Sequence, residues 1–268
     1  MTLPEWVPAW ATLVRADNPS PMTLEGTNTW VLRAPGATGC VVVDPGPLLP
    51  AHLEKVAGHG PVVATLLTHG HPDHAEGARR FAEMTGSAVL ARDPTHAVGG
   101  ETLPVEGDPL DLAGLRIRTF ATPGHTADSV SFVIDDAAVL TGDTILGRGT
   151  TVVAWPDGEL ADYLRSLERL RRLGPIPVLP GHGPVLPDAE SVAGHYLQHR
   201  AARLTQVEAA VAAGAGTPAE VVAVVYADVD RAVWPAAELS VRAQLDYLRA
   251  GRGDGPGSTP GAAEADRR

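Results

Sequence analysis

The sequence predicts an α+β fold in which two sheets pack together and are covered by helices, and three observations predict it. Short apolar runs rich in β-branched residues recur through the first 187 residues, separated by Gly/Pro turns. Helical patterns are interleaved among those runs, which calls for a layered arrangement. The chain has 268 residues, 44% of them hydrophobic and 20% charged. That length makes one large domain, or one domain with a small appendage, and it buries roughly 70–75% of its unfolded surface without staples. The single Cys excludes a disulfide framework.

The strands are expected at 39–43, 62–67, 115–120, 129–134 and 137–141, each an apolar run with the look of a buried strand. Asp135-Asp136 is a tight turn between the last two. A helical stretch is expected over 75–85. Another covers 158–173, where Leu160, Tyr163, Leu164, Leu167, Leu170 and Leu173 recur at steps of three and four, and Gly174-Pro175 stops it. Cys40 lies inside an apolar strand and reads as a small core residue.

Residues 188–250 change character. A helix is expected over about 189–213. A second begins at Thr217-Pro218-Ala219-Glu220, a capping box with Pro in the first turn, and a third begins near Pro235. The domain division is therefore 1–187, then a helical appendage at 188–250, then a tail at 251–268. That tail holds five Gly and two Pro with no Val, Ile, Leu or aromatic residue, and it is expected to be disordered.

The formal charge is −11, and residues 188–250 alone hold three more acids than bases. Phosphate neutralisation needs surplus Lys and Arg, so a general nucleic-acid binder is disfavoured and no DNA partner is expected. Aromatic residues are only 4%, which leaves few stacking platforms for single strands. Arg165, Arg169, Arg171 and Arg172 cluster on one helix and read as a solvated face, with a phosphate-facing patch as the alternative. No basic residue precedes Arg15, and no run of apolar residues is long enough to span a bilayer, so the reading is a cytoplasmic protein with no membrane partner.

The sharpest signal is Thr68-His69-Gly70-His71-Pro72-Asp73-His74, placed directly after a strand and before a helix. His69 and His71 are two apart, so an extended backbone points both the same way, toward one metal ion. Pro72 keeps His71 extended. Asp73 and His74 begin the helix and turn toward a second position. Asp73 also heads a capping box with Glu76, and the two roles can coexist. His-x-His-x-Asp-His arises by chance in roughly one chain in a thousand of this composition, and three His in six residues answer no capping or packing need. His125, Asp143 and His182 sit in Gly-bounded loops at strand ends. Together these seven donors suit a pair of Zn²⁺ ions, and the lack of nearby Cys argues against a structural zinc knot or an iron–sulfur cluster. His52, His59, His96 and His195 have no motif around them and read as surface or helix residues.

With these motifs the sequence resembles the metallo-β-lactamase-fold hydrolases, over the chain to about residue 250. The segment Asn18–Thr29, the run Gly142–Thr150 and the pair His199-Arg200 resemble the β-lactamase-like protein 2 branch. The resemblance implies an αββα sandwich followed by a small winged-helix-like domain. It implies that His69, His71 and His125 hold one metal, that Asp73, His74 and His182 hold a second, and that Asp143 bridges both. The implied chemistry is hydrolysis by a metal-bridging hydroxide with two Zn²⁺ per chain, with Asp73 orienting that hydroxide or accepting its proton. Asp44, Thr68 and Thr126 are expected to support the ligand histidines.

Studied members of the branch include endoribonucleases, and fungal thioesterases belong near it, so the substrate is a small-molecule acyl thioester or a short single-stranded RNA. The acidic charge favours the thioester. A β-lactamase role is disfavoured because true lactamases of this fold lack the bridging Asp. A flavodiiron role is disfavoured because His71 stands where that branch has Glu. A mononuclear-iron persulfide dioxygenase keeps a similar ligand set and remains a third reading. The oligomeric state is left open. Two bound Zn²⁺ would offset four of the negative charges and concentrate positive potential at the site.

Overall fold

The computed structural model describes residues 3–100 and 102–251. The tail expectation falls outside them, apart from Gly251, which ends the last helix. Ten strands form two five-stranded sheets. The first contains β1 (Ala11–Arg15), β2 (Asn28–Leu32), β3 (Cys40–Val43), β4 (Val62–Leu66) and β5 (Val89–Leu90), in that order. The second contains β6 (Leu110–Leu112), β7 (Leu115–Ala121), β8 (Val130–Ile134), β9 (Ala138–Gly142) and β10 (Val178–Pro180), in reverse order. Hairpin pairs are antiparallel, whereas β3–β4, β4–β5 and β9–β10 are parallel and joined through helical crossovers. The expected strands are all present, within a residue or so at each end. β1, β2, β5, β6 and β10 are additional. Asp135 and Asp136 both take positive φ, at 50° and 54°, as the expected tight hairpin turn requires.

The central strands are buried on both faces, and their side chains alternate between two cores. In β2 and β3, Trp30, Leu32, Val41 and Val43 point between the sheets, where they meet Ile117, Phe132, Ile134 and Leu140. Their neighbours Val31, Cys40 and Val42 point outward against Leu53 and Val56 of α1 (Pro50–Ala57) and Phe81 of α3 (Ala78–Thr85). Cys40 is thus a core residue, fully buried. Runs such as Cys-Val-Val-Val are continuously apolar because helices cover the outer face. On the second sheet, Val133, Val139 and Val178 pack against α4 (Leu160–Arg171) and α5 (Ala189–Ala212). The result is the expected four-layer sandwich.

The C-terminal region is helical. The capping box at Thr217 and Glu220 opens α6 (Pro218–Val225), and α7 (Trp234–Gly251) follows. The far end of α5 packs with α6 and α7 around Val207, Val221, Val222 and Val241. The near end of α5 and Ala243 of α7 share the core of the second sheet. Helix α5 therefore runs through both units, and α7 is pinned to the sandwich. Ser240 Oγ accepts from Val153 N at 3.1 Å, and Trp155 Nε1 donates to Asp246 Oδ2 at 2.9 Å. Among the described residues no helix is long and apolar enough to cross a membrane.

Candidate metal centre

The site lies along one edge of the sandwich. The C-terminal ends of β3, β4, β7, β9 and β10 and the start of β2 meet there. The two sheets are tied together at this edge: Val130 N donates to Thr68 O at 2.8 Å, and Asn28 N donates to Gly181 O at 2.8 Å. Asn28 Nδ2 also donates to Pro180 O and Gly183 O, which fixes the loop that carries His182.

All seven sequence-predicted donors converge. His69 Nε2 and His125 Nε2 lie 3.1 Å and 3.0 Å from His71 Nδ1. His182 Nε2 lies 3.1 Å from both His74 Nε2 and Asp73 Oδ2. Asp143 stands between these groups, 3.4 Å from His74 Nε2, 3.4 Å from His182 Nε2 and 3.7 Å from His125 Nε2. Three sets have donor atoms close enough to share an ion: His69/His71/His125, His69/His74/Asp143 and Asp73/His74/His182.

The hydrogen-bond partners of the rings decide whether this donor set fits a cation. His125 Nδ1 lies 2.7 Å from the Val152 carbonyl, which can only accept, so Nδ1 carries the hydrogen and Nε2 presents a lone pair. His182 Nδ1 faces the Gly26 carbonyl at 3.4 Å. His74 Nδ1 faces Asp44 Oδ2 at 2.9 Å. Thr68 Oγ1 donates its only hydrogen to Asp44 Oδ2, so it must accept from His69 Nδ1 at 3.0 Å. Four imidazoles are thereby oriented with Nε2 toward the centre. His71 Nδ1 faces two such lone pairs and has at most one hydrogen to offer. Asp143 Oδ1 is buried with no hydrogen-bond partner. Donors around a tetrahedral ion at about 2.0–2.1 Å stand roughly 3.3 Å apart, close to the spacings found here. The residues present fit divalent ions.

The electrostatics agree. Burial opposes a charge on His74, but Asp143, Asp73 and Asp44 outweigh it and hold its pKa well above the usual range. Burial opposes His182 likewise, yet Asp143 brings it up to about 9. Burial would raise Asp73, but the His74 charge and the His182 hydrogen bond bring it down to about 2. His125 is depressed to about 4 and His69 well below normal, both chiefly by burial. The carboxylate-rich half thus demands positive charge, which protons supply until a metal displaces them.

Several expectations need correction. Asp73 is not a helix cap: α2 (Pro72–Ala75) takes His71 as its N-cap, with Pro72 in its first turn, and no side-chain cap is made. The helical stretch expected over 75–85 is broken at Gly77, between α2 and α3. The Thr126 hydroxyl makes no hydrogen bond to a ligand imidazole among the described residues. It bonds Asp128 Oδ1 at 2.7 Å and Ser129 Oγ at 2.6 Å, closing the loop behind His125. His52 and His96 do lie on helical segments as expected, but His52 is buried on α1 and His96 packs over Gly70 between two of the ligands. The α4 arginines, by contrast, form the expected solvated face: Arg165 pairs with Asp162, Arg169 with Glu106 and Arg171 with Glu168.

Some supporting residues escaped the sequence reading. Thr27 Oγ1 accepts from Asn18 Nδ2 at 3.0 Å and donates to Asp73 Oδ2 at 3.2 Å. Tyr196 OH bonds both N and O of Leu146, steadying the loop after Asp143. The polar run Asn18–Thr29 ahead of a buried strand was the available signal for the first.

The site opens into a cavity of about 370 Å³. His125 and Asp143 line it, as do Met22 and Leu146 of the sandwich and Val229 and Val233 of the C-terminal region.

Fold and site together define a metal-dependent hydrolase. Residues 22–182 match the metallo-beta-lactamase superfamily and residues 217–251 match the beta-lactamase associated winged helix domain, so the chain belongs to the metallo-beta-lactamase superfamily. It is 30% identical over 256 residues to the beta-lactamase-like protein 2 homolog of Drosophila melanogaster, covering 86% of this chain and 85% of that one. It is 31% identical over 238 residues to the atrochrysone carboxyl ACP thioesterase of Aspergillus fumigatus, covering 80% and 72%. The crystal structure of a metallo-beta-lactamase family protein from Thermus thermophilus superposes with a TM-score of 0.75 at 25% identity, covering 91% of this chain and 94% of that one.

Proposed function

We propose that this chain is a binuclear zinc-dependent hydrolase acting on an acyl thioester. One observation carries the reading: the cluster of seven convergent donors borders, through His125 and Asp143, a cavity whose wall is mostly apolar. Such a wall accepts an acyl chain and offers little to a run of nucleotides. The relative named as an ACP thioesterase points the same way. The α4 arginines do not line the cavity; Arg148, Arg200 and Arg203 do.

In this reading His69, His71 and His125 hold one ion, Asp73, His74 and His182 hold the other, and Asp143 stands between them. When bound, such ions supply Lewis acidity toward a carbonyl and bring the pKa of water toward neutrality. The chain's own contribution is orientation. Asp44 and Thr68 fix two ring tautomers, and Thr27 fixes Asp73. All seven ligands lie within 1–187, the catalytic unit, and residues 188–250, whose helix α5 packs into the core of the second sheet, complete the cavity wall.

Metal analysis of the purified chain, with a thioester panel and labelled single-stranded RNA, tests this. The expected result is two zinc per chain and thioester hydrolysis that disappears in His71→Ala. One iron per chain, or His71-dependent RNA cleavage without thioester turnover, overturns it.

A further inference from the structure

Helix α5 carries a charge that the ligand set leaves unused. Arg200 is only 2% exposed. Its guanidinium stacks 4.9 Å over the Tyr163 ring and donates to the Thr151 carbonyl. Among the described residues it enters no ion pair, and its Nε is buried without a hydrogen-bond partner. Burying a guanidinium without a counter-charge is costly, and an orphaned donor adds to the cost. The preceding residue repeats the pattern: His199 Nδ1 is also buried and unpartnered. Burial and the neighbouring arginine charges bring the His199 pKa down to about 4, so at neutral pH this ring offers direction and no charge. Arg203, one turn further on, stacks 4.5 Å over Tyr226 and donates to the Val225 carbonyl at 2.8 Å. All three line the cavity that His125 and Asp143 also line. Arg148 lines it too, but Glu25 already neutralises that charge.

We propose that His199, Arg200 and Arg203 form an anion subsite in the cavity wall, which takes a carboxylate or phosphate on the same substrate whose acyl bond is cleaved at the metal ligands. The inference rests on the thioester reading and adds the substrate's charge to it. An arginine fork binds both anions in a bidentate manner, and in a protein of charge −11 a local pair of unopposed guanidiniums is a selective feature. The anion has two possible sources, the far end of a dicarboxylic acyl group or the phosphate of the thiol carrier.

Calorimetric titration of the metal-loaded chain separates them. One arm compares dicarboxylates from succinate to adipate with their monoamides; both leave one carboxylate for the metals. The other arm compares 4′-phosphopantetheine with pantetheine. In one arm the more charged probe should bind roughly tenfold tighter or better. That advantage should shrink toward one in Arg200→Gln and in Arg203→Gln. The second variant matters because Arg200 is also packed, whereas among the described residues Arg203 holds a carbonyl, Gln206 and a ring face. Equal binding within both pairs overturns the subsite, as does an advantage that survives both variants. Thioester turnover is measured separately: a charge preference without turnover keeps the subsite and removes the thioester reading, and turnover without the preference does the reverse.

Discussion

The Asp44 carboxylate lies 2.9 Å from His74 Nδ1 through the same oxygen that accepts the Thr68 hydroxyl at 2.7 Å. Its other oxygen accepts Thr68 N at 2.8 Å. Through Thr68 the same carboxylate reaches His69. One buried acid therefore orients a histidine from each half of the site, and it does so from a left-handed backbone at φ 52°.

Asp44→Asn tests that relationship without disturbing the backbone, because Asn tolerates the left-handed region as well as Asp does. An amide nitrogen facing His74 Nδ1 would force the hydrogen onto Nε2, toward the metal. Loss of such a partner typically weakens metal affinity 10–100-fold. Competition against a chelator should show that loss while far-UV circular dichroism is unchanged. Unaltered affinity would remove Asp44 from the account.

Thr27→Val should act more selectively. Its hydroxyl touches Asp73 but none of His69, His71 or His125. Stepwise metal titration should show the second equivalent weakened several-fold and the first left alone. Equal weakening of both steps would mean that Thr27 supports the edge as a whole.

The difference between these two cases shows what the sequence made legible. His69, His71, Asp73 and His74 fall within six residues, so their placement follows from backbone geometry near one strand end. The capping box at Thr217 is local too, and it formed as expected. Thr27 and Asp73 stand 46 residues apart, and their contact depends on how β2 and β4 are placed in the sheet. Asn28 reaches across 152 residues to the β10 loop. Neither pairing leaves a periodic trace. The Asp73 cap failed for a local reason: Pro72 already occupies the first turn, so His71 became the N-cap. His52 looked unremarkable because nothing near it in sequence marks it as buried.

His52 gives a pH dependence of stability. Its ring is buried, with Nε2 at 2.9 Å from Thr29 Oγ1 and Nδ1 without a partner, and burial brings its pKa down to about 4. The folded form thus holds the ring neutral, while the unfolded chain takes up a proton near the ordinary value of 6.5. Stability from this group is full above about pH 6.5, falls as pH drops toward 4, and is flat below that. Between pH 7 and 5 the loss should be about 1 kcal/mol after solvent screening. His52→Gln should remove that portion of the slope in urea titrations at the two pH values. An unchanged slope would place the ring's proton elsewhere.

Gly181→Ala should silence the site without unfolding the chain. A Cβ at Gly181 would fall 2.6 Å from Asp143 Oδ1 and 2.7 Å from His74 Cε1, distances that real carbons do not keep. The position has no left-handed backbone requirement, so the substitution carries no conformational penalty of its own. The two groups that must yield are both in the ligand set, and a displacement of about 1 Å in such a constellation costs roughly a hundredfold in rate. Metal content should fall below two per chain, and turnover should fall with it. Gly194→Ala on α5 is the matched control, since a Cβ there meets nothing within 4 Å. It should leave metal content and turnover unchanged and stabilise the helix by roughly 0.5–1 kcal/mol. If Gly181→Ala keeps two metals and full turnover, Asp143 and His74 have room to move and the tight packing behind the centre is not what positions them.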